Sequence, residues 1–331
     1  VMLTGSEQDS LVLNPCAADD EGMTVTTHAA LGVGTAEVAA AAETIGPYNR
    51  RTPLLDAEID GRRLLLKLEH LQRSGSFKLR GALNAMLTGP RAEHVVTASG
   101  GNHGLGVGTA AALLGLPATV FVPTTAPAGK VRRIEATGVR LVRHGATYAE
   151  AAAAAAELAH PPGHRYLPAF DDPAVIAGQG TVAAEIIAEA PDVDAVAVAV
   201  GGGGLAAGTT LAIGPRTTVA VEPYDCQCLA NALAAGRPVD GPVDSVAASA
   251  LGASRIGELP FTILRRSPVQ SVLVSDAELL AARDLLWEQF RIAAEPAAAV
   301  PFAAWLAGRV PGQLPCVVIC GANTDWSPDR A

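Results

Sequence analysis

Residues 194–222 read DAVAVAVGGGGLAAGTTLAIGPRTTVAVE. An apolar run, Asp194–Val200, passes through four glycines, Gly201–Gly204, into a helical pattern, Leu205–Ile213. A second apolar run, Thr217–Val221, follows. Both runs are rich in Val and lack polar alternation, as strands buried on two faces do, so strand, loop, helix and strand form one parallel unit. Four glycines let the backbone approach a ligand closely, and the helix start behind them favours an anion such as a phosphate. The stretch also carries a rival reading. Gly202-x-Gly204-x-x-Ala207 matches a dinucleotide fingerprint, with Glu222 at the end of the next strand, so NAD is a candidate on this segment alone.

The same alternation extends along the chain. Strands are expected at Leu64–Leu68, His94–Ala98, Ala118–Val122, Val139–Val142, Ser271–Val274 and Cys316–Ile319. Helices are expected at Phe77–Leu87, His103–Leu114, Gly129–Thr137, Tyr148–His160, Pro173–Ala190, Asp276–Phe290 and Glu295–Gly308. Alternating strands and helices predict an α/β fold with parallel sheets covered on both faces. Ligands of such sheets bind beyond the carboxyl ends of the strands.

Composition narrows the function. The chain has 331 residues, which suggests about two domains. It is 49% apolar, enough for a buried core, and its net charge of -9 argues against nucleic acid or an anionic membrane surface as partner. No apolar run reaches the roughly 18 residues of a membrane span, and no secretory signal is read at the N-terminus. The cysteines Cys16, Cys226, Cys228, Cys316 and Cys320 are odd in number and sparse. They read as reduced thiols of a cytoplasmic protein. Lysine is rare: Lys67, Lys78 and Lys130 stand among 24 basic residues.

Two more loops carry unusual chemistry. Ser74-Gly75-Ser76-Phe77-Lys78-Leu79-Arg80-Gly81-Ala82 opens a helix with Lys78 in its first turn. The positive helix end there disfavours a cation and favours the neutral amine that imine formation requires. Ala98-Ser99-Gly100-Gly101-Asn102-His103-Gly104 joins a strand to a helix, and its backbone N–H groups, hydroxyl and amide suit a carboxylate.

In combination, these segments resemble the fold-type II enzymes that use pyridoxal 5'-phosphate (PLP), specifically the serine/threonine dehydratase (threonine ammonia-lyase) family. Ser-x-Ser-Phe-Lys-x-Arg-Gly-Ala is similar to that family's cofactor-lysine motif, Ser-Gly-Gly-Asn-His-Gly to its substrate-carboxylate loop, and the tetraglycine to its phosphate loop. Arg51-Thr52-Pro53-Leu54, the stretch Pro173–Thr181 and Cys320-Gly321-Ala322-Asn323 extend the likeness, in order, from about Pro47 to about Asp325. The resemblance implies a tryptophan synthase β-like architecture of two open twisted parallel-sheet domains. A large PLP-binding domain would comprise 23–90 and 172–331, with a small domain, 91–171, inserted. Residues 1–22 would be an extension, open to disorder, before a natural start at Met23. The likeness implies that Lys78 holds PLP and then acts as base, that Phe77 packs on the ring, and that Asn102 bonds its phenolic oxygen. Gly201, Gly202, Gly203, Gly204 and Leu205 would bind the phosphate, and Cys320 would face the ring nitrogen. Ser99, Gly100, Gly101, Asn102 and His103 would hold the substrate. The reaction implied is loss of water from a β-hydroxy amino acid, giving a 2-oxo acid and ammonia, with a homodimer as the assembly.

Four departures matter. Related serine racemases have a serine where Gly100 stands, so racemisation is disfavoured. Cysteine synthases resemble Ser-Val-Lys-Asp-Arg around the lysine, where this chain has Phe77 and Leu79, which lowers the β-replacement alternative. The family's divalent-cation site is incomplete: Glu222 matches one carboxylate, but the second position is Cys228. A monovalent cation at Glu222, or none, is expected over tight magnesium. The chain ends soon after Asn323, so the regulatory domain of some biosynthetic threonine dehydratases is not expected.

Overall fold

The computed structural model describes residues 31–326. The expected extension, 1–22, lies outside them, as does Cys16. Among the described residues the chain forms β1 (Leu54–Ile59), β2 (Arg62–Lys67), β3 (His94–Ala98), β4 (Ala118–Val122) and β5 (Arg140–Arg143). Then follow β6 (His164–Tyr166), β7 (Ala195–Ala199), β8 (Thr217–Pro223), β9 (Val269–Val274) and β10 (Pro315–Val318). The eight expected strands and eight expected helices are all present, with ends that differ by at most two residues.

The strands build two sheets, in the orders β1-β2-β10-β7-β8-β9 and β5-β4-β3-β6. All pairings are parallel except that of β1 with β2. That exception follows from its turn: Asp60 and Gly61 both have positive φ, 51° and 72°, the twist a two-residue hairpin requires. Strands β4 and β7 are buried along their whole length, which explains the apolar run of β7 and, apart from Thr119, that of β4.

Helices cover the sheets at close range. A Cβ added at Gly208, in the helix Gly204–Ala212, would lie 2.5 Å from the Gly180 backbone nitrogen in the helix Pro173–Glu189. Only hydrogen fits at this crossing, so any larger residue would force the two helices apart. The helix Pro296–Leu306 buries nine of its residues, including Phe302 stacked on Trp305 at 5.9 Å.

Strand order locates the cleft. In the smaller sheet the chain runs from β3 outward to β4 on one side and then to β6 on the other. In the larger sheet it runs from β7 to β8 and β9, and returns as β10 on the far side of β7. Each reversal leaves a crevice beyond the carboxyl ends of the flanking strands. The loops there are 99–102 after β3, 200–203 after β7 and 319–323 after β10.

A buried ion cluster sits under the loop that carries Lys78. Arg80 is fully buried and donates to both oxygens of Glu69, at 2.9 and 2.7 Å, and to Glu185 at 2.8 Å. Lys67, equally buried, donates to Glu185 at 2.6 Å and to the Thr52 carbonyl at 2.7 Å. Two cations meet two carboxylates, so no charge is left uncompensated, and removing one partner would strand another in the interior.

Candidate active site

Segments far apart in sequence converge on one cleft. Phe77, Lys78, Asn102, Phe170, the run Gly201–Leu205 and Cys320 line it. All the residues expected to contact a cofactor are thus brought together. The loops before Lys78 and after β10 are tied to each other: the Phe77 N–H donates to the Cys320 carbonyl at 3.1 Å, and Ser76 bridges to Gly321.

Lys78 begins the helix Lys78–Thr88, and its amine donates to the Ala169 carbonyl at 2.8 Å. Its pKa falls to about 8. The main cause is burial, which penalises the charged form, with Cys320 opposing it. The helix-end argument therefore anticipates the right direction, but desolvation is the dominant physical cause. Cys320 is itself buried, and burial pushes its thiol far above the ordinary range, so it stays neutral.

The glycine loop turns its carbonyls toward protein. Gly201 O accepts from the Cys228 thiol at 3.0 Å, Gly202 O from Gly257 N at 3.2 Å, and Gly203 O from Ala207 N at 2.9 Å. The N–H groups of a helix's first turn have no intrahelical partner, so Gly204 and Leu205 offer donors at the cleft. Gly203 has φ +91°, and a Cβ on Gly202 would lie 2.1 Å from the Phe170 ring.

Asn102 begins the helix Asn102–Leu114. Its Nδ2 donates to Glu295 at 2.6 Å, and its Oδ1 accepts from Asn323 at 2.5 Å. Glu295 is buried, and burial raises its carboxyl pKa. Sequence reasoning assigned roles to neither Glu295 nor Phe170. A carboxylate followed by Pro296 and an entirely apolar helix was the available signal for Glu295, since a charge leading into such a helix must find a buried partner.

The substrate-loop residues divide. Gly100 and Gly101 line a second pocket that shares Asn102 with the cleft. Ser99 accepts the Gly101 N–H at 3.2 Å and so shapes the loop. His103 faces the Leu167 carbonyl at 3.1 Å through Nε2. Its pKa falls to about 3, first through burial and then through Lys78, so the ring is neutral and spends its N–H on Leu167.

Glu222 is buried at the end of β8. Its oxygens accept from Leu229 N at 2.8 Å and Ala230 N at 2.9 Å, capping the helix Cys228–Ala235. Burial raises its pKa to about 7. It cannot meet a ribose, which removes the acidic partner that a dinucleotide would need.

Comparison with known proteins agrees with this arrangement. Residues 45–321 match the family described as "Pyridoxal-phosphate dependent enzyme". The chain belongs to this family. The NAD alternative is thereby set aside: the glycine loop is that of a PLP enzyme, in the expected fold-type II architecture. An L-threonine ammonia-lyase of Geobacter sulfurreducens is 39% identical, over 83% of this chain and 72% of that protein. A serine racemase of Arabidopsis thaliana is 33% identical, over 86% and 91%. A solved threonine deaminase of T.th. superimposes with a TM-score of 0.82 at 37% identity, covering 88% of this chain and 99% of that one. The chain spans about half the length of the biosynthetic threonine dehydratases it matches, 56% and 53% in two cases.

The cleft of this PLP enzyme fits its cofactor. A half-buried amine of lowered pKa stands at one side, and the glycine loop stands at the other with no room for side chains. The lowered pKa has a kinetic consequence. At about pH 7.5 roughly a quarter of an amine with pKa near 8 is neutral, against about one in a thousand for an ordinary lysine. Incorporation of PLP into the apoprotein is therefore expected to rise about fifteenfold between about pH 6.5 and 8 and to level off above about 9. Stopped-flow absorbance near 400 nm measures it. A rate still climbing steeply through about pH 10 would show that burial does not set this amine's pKa.

Proposed function

We propose that the enzyme removes water from a β-hydroxy amino acid of the serine/threonine type, yielding a 2-oxo acid and ammonia. The observation that carries this reading is the half-buried Lys78 amine of lowered pKa, in a cleft shared by the glycine loop and Asn102. PLP, when bound, acidifies the substrate's α-C–H bond and draws off its electrons. The chain's own residues bind and orient around it. Lys78 would anchor the cofactor, and its amine would take the substrate's α proton. Gly201–Leu205 would hold the phosphate, and Phe77 and Asn102, the latter held by Glu295 and Asn323, would hold the ring. Cys320, a neutral thiol in the cleft, would stand by the ring nitrogen without forcing a charge on it, which would favour fast loss of a β leaving group over long-lived carbanion chemistry. Ser99, Gly100, Gly101 and Asn102 hold the substrate carboxylate so that the α-C–H bond points at Lys78. His103, a neutral ring engaged with Leu167, supports that loop. After water has left, hydrolysis of the C–N bond of the released product gives ammonia and the 2-oxo acid.

We further infer that residues 91–171 form a small inserted domain that closes over substrate, against a large domain of 23–90 and 172–331. Opening would have to break the hydrogen bonds of Lys78 to the Ala169 carbonyl, of Asn102 to Glu295 and Asn323, and of the Glu258 and Leu259 N–H groups to Asp171. Lys130 reaches the Ser249 carbonyl at 3.3 Å, and Arg133 reaches the Thr324 carbonyl at 3.1 Å and the Asp325 carboxylate. A cytoplasmic homodimer is proposed with it. Four cysteines with free thiols, Cys226, Cys228, Cys316 and Cys320, support the compartment.

The reaction is tested against racemisation, which needs a proton donor on each face of the planar α-carbon. Lys78 serves one face, and Gly100 offers no side chain on the other. With L-serine or L-threonine, 2-oxo acid is expected to exceed inverted amino acid by at least about tenfold. A lactate dehydrogenase-coupled assay beside chiral chromatography reads both. A Cβ at Gly100 would meet only Ala126 at 3.6 Å and Val122 at 3.8 Å, so Gly100→Ser fits without strain. It should raise racemisation relative to elimination by about tenfold. Comparable rates in the native enzyme, or an unchanged ratio in the variant, would refute the role given to Gly100.

A further inference from the structure

The loop that would receive the phosphate is held from behind by a small cluster. Cys228 Sγ donates to the carbonyl of Gly201, the first glycine of the loop, at 3.0 Å, with the Glu222 carboxyl group beside it. Glu222 spends one oxygen on Leu229 N and the other on Ala230 N. Both side chains belong to buried residues, Glu222 at 0% and Cys228 at 2% exposure. Strands β7 and β8 are neighbours in the sheet, and Val200 N donates to Val221 O at 2.9 Å, so the two strand ends are locked side by side.

The resemblance of this chain to serine/threonine dehydratases implies a cation beside this loop. The residues present do not fit one. A hard cation takes about six or more oxygen ligands and favours carboxylates, carbonyls and water. Here the carboxylate caps a helix, the carbonyl already accepts from a thiol, and the remaining side chain is sulfur, a soft ligand. Among the described residues no group of three or more His, Cys, Asp or Glu side chains could hold a metal ion.

We propose that the protein itself closes this position: the Cys228 thiol, donating to the Gly201 carbonyl beside the helix-capping Glu222, fixes the start of the glycine loop and makes PLP binding independent of metal ions. This rests on the reading that the glycine loop receives the phosphate. This hydrogen bond ties the helix Cys228–Ala235 to the loop through one sulfur. Its loss frees the Gly201 carbonyl to rotate and misaligns the N–H groups that follow. Cys228 is thus a positioning residue, acting through the Gly201 backbone.

The test uses the holoenzyme and three variants. PLP affinity, by titration of the absorbance near 400 nm, and Tm are measured in EDTA and in millimolar K+, Mg2+ or Ca2+. The native protein is expected to show the same PLP affinity in all four. Cys228→Ala should weaken PLP binding about five- to tenfold, the effect of one buried hydrogen bond, and Cys228→Ser, which keeps a donor, should recover part of it. The 31P resonance of bound PLP should move in Cys228→Ala, a change that general loosening far from the loop would not produce. Loss of PLP in EDTA that Mg2+, Ca2+ or K+ restores would overturn the proposal. So would native PLP affinity in Cys228→Ala. The phosphate-loop reading fails separately, if Gly203→Val binds PLP as the native protein does.

Discussion

Lys78→Ala is expected to retain some PLP through the glycine loop and to lose turnover by about 10^4-fold or more. A positioned general base is worth about 10^2- to 10^4-fold, and this substitution also removes the covalent anchor that orients the cofactor. Borohydride reduction of the native holoenzyme, followed by peptide mapping, checks the assignment directly, because the chain has only three lysines. Their environments differ sharply. Lys67 is buried and bound to Glu185 and the Thr52 carbonyl, so its amine is engaged and out of reach. Lys130 lies near the Ser249 carbonyl and lines the second pocket. Lys78 alone lines the cleft with the glycine loop. Label on Lys67 or Lys130, with none on Lys78, would falsify the site. Tm should change little in Lys78→Ala, because the amine has one backbone partner and its burial disfavours the charge it carries.

Gly203→Val is expected to weaken PLP binding by about a hundredfold. Two penalties act together. The native φ of +91° lies in a region that β-branched residues rarely enter, at a cost of about 1–3 kcal/mol. A Cβ there would also lie 2.8 Å from Pro260 and 3.0 Å from Ile256, so the loop must shift away from the position that aims its N–H groups. The measurement is PLP dissociation by equilibrium dialysis, with Tm as a check on folding. Gly202→Ala tests the other wall of the cradle, since its Cβ would collide with the Phe170 ring. Native affinity in Gly203→Val would mean that the phosphate is bound elsewhere, and the Gly202→Ala result would then locate the remaining contact.

Legibility of the fold tracked how local its causes are. The strands β3 and β4 and the helix Asp276–Phe290 match their expected limits, because hydrophobic periodicity and the Ser275–Glu278 capping box mark them within the segment itself. Strand β1 was not expected. Its LLDAEI has mixed burial on one edge of the sheet, and the Asp60-Gly61 hairpin signal beside it is the local mark that would have found it. Strand β6 was not expected either, because three residues carry no period, and only pairing with β3 makes them a strand. Helix Cys228–Ala235 was also unexpected; its start is stabilised by Glu222, a residue of a neighbouring strand.

The order of strand, glycine loop and helix and the parallel architecture were determined by the amino-acid sequence alone, through residue type and short spacing. The family and its PLP chemistry were legible there only through the resemblance of several ordered motifs to known enzymes. Tertiary structure alone decided the electrostatics. Lys78 gives up its proton more readily than a solvated lysine because burial strips its water, and the Lys67 amine is engaged by a carboxylate and a carbonyl. Asn102 is held by Glu295 and Asn323, which lie 193 and 221 residues away along the chain. Glu222, which a local reading offers to a ribose or a cation, turns inward to cap a helix. Desolvation and pairing depend on which distant segments share a crevice, and the strand order that brings them together is not written in any single window of sequence.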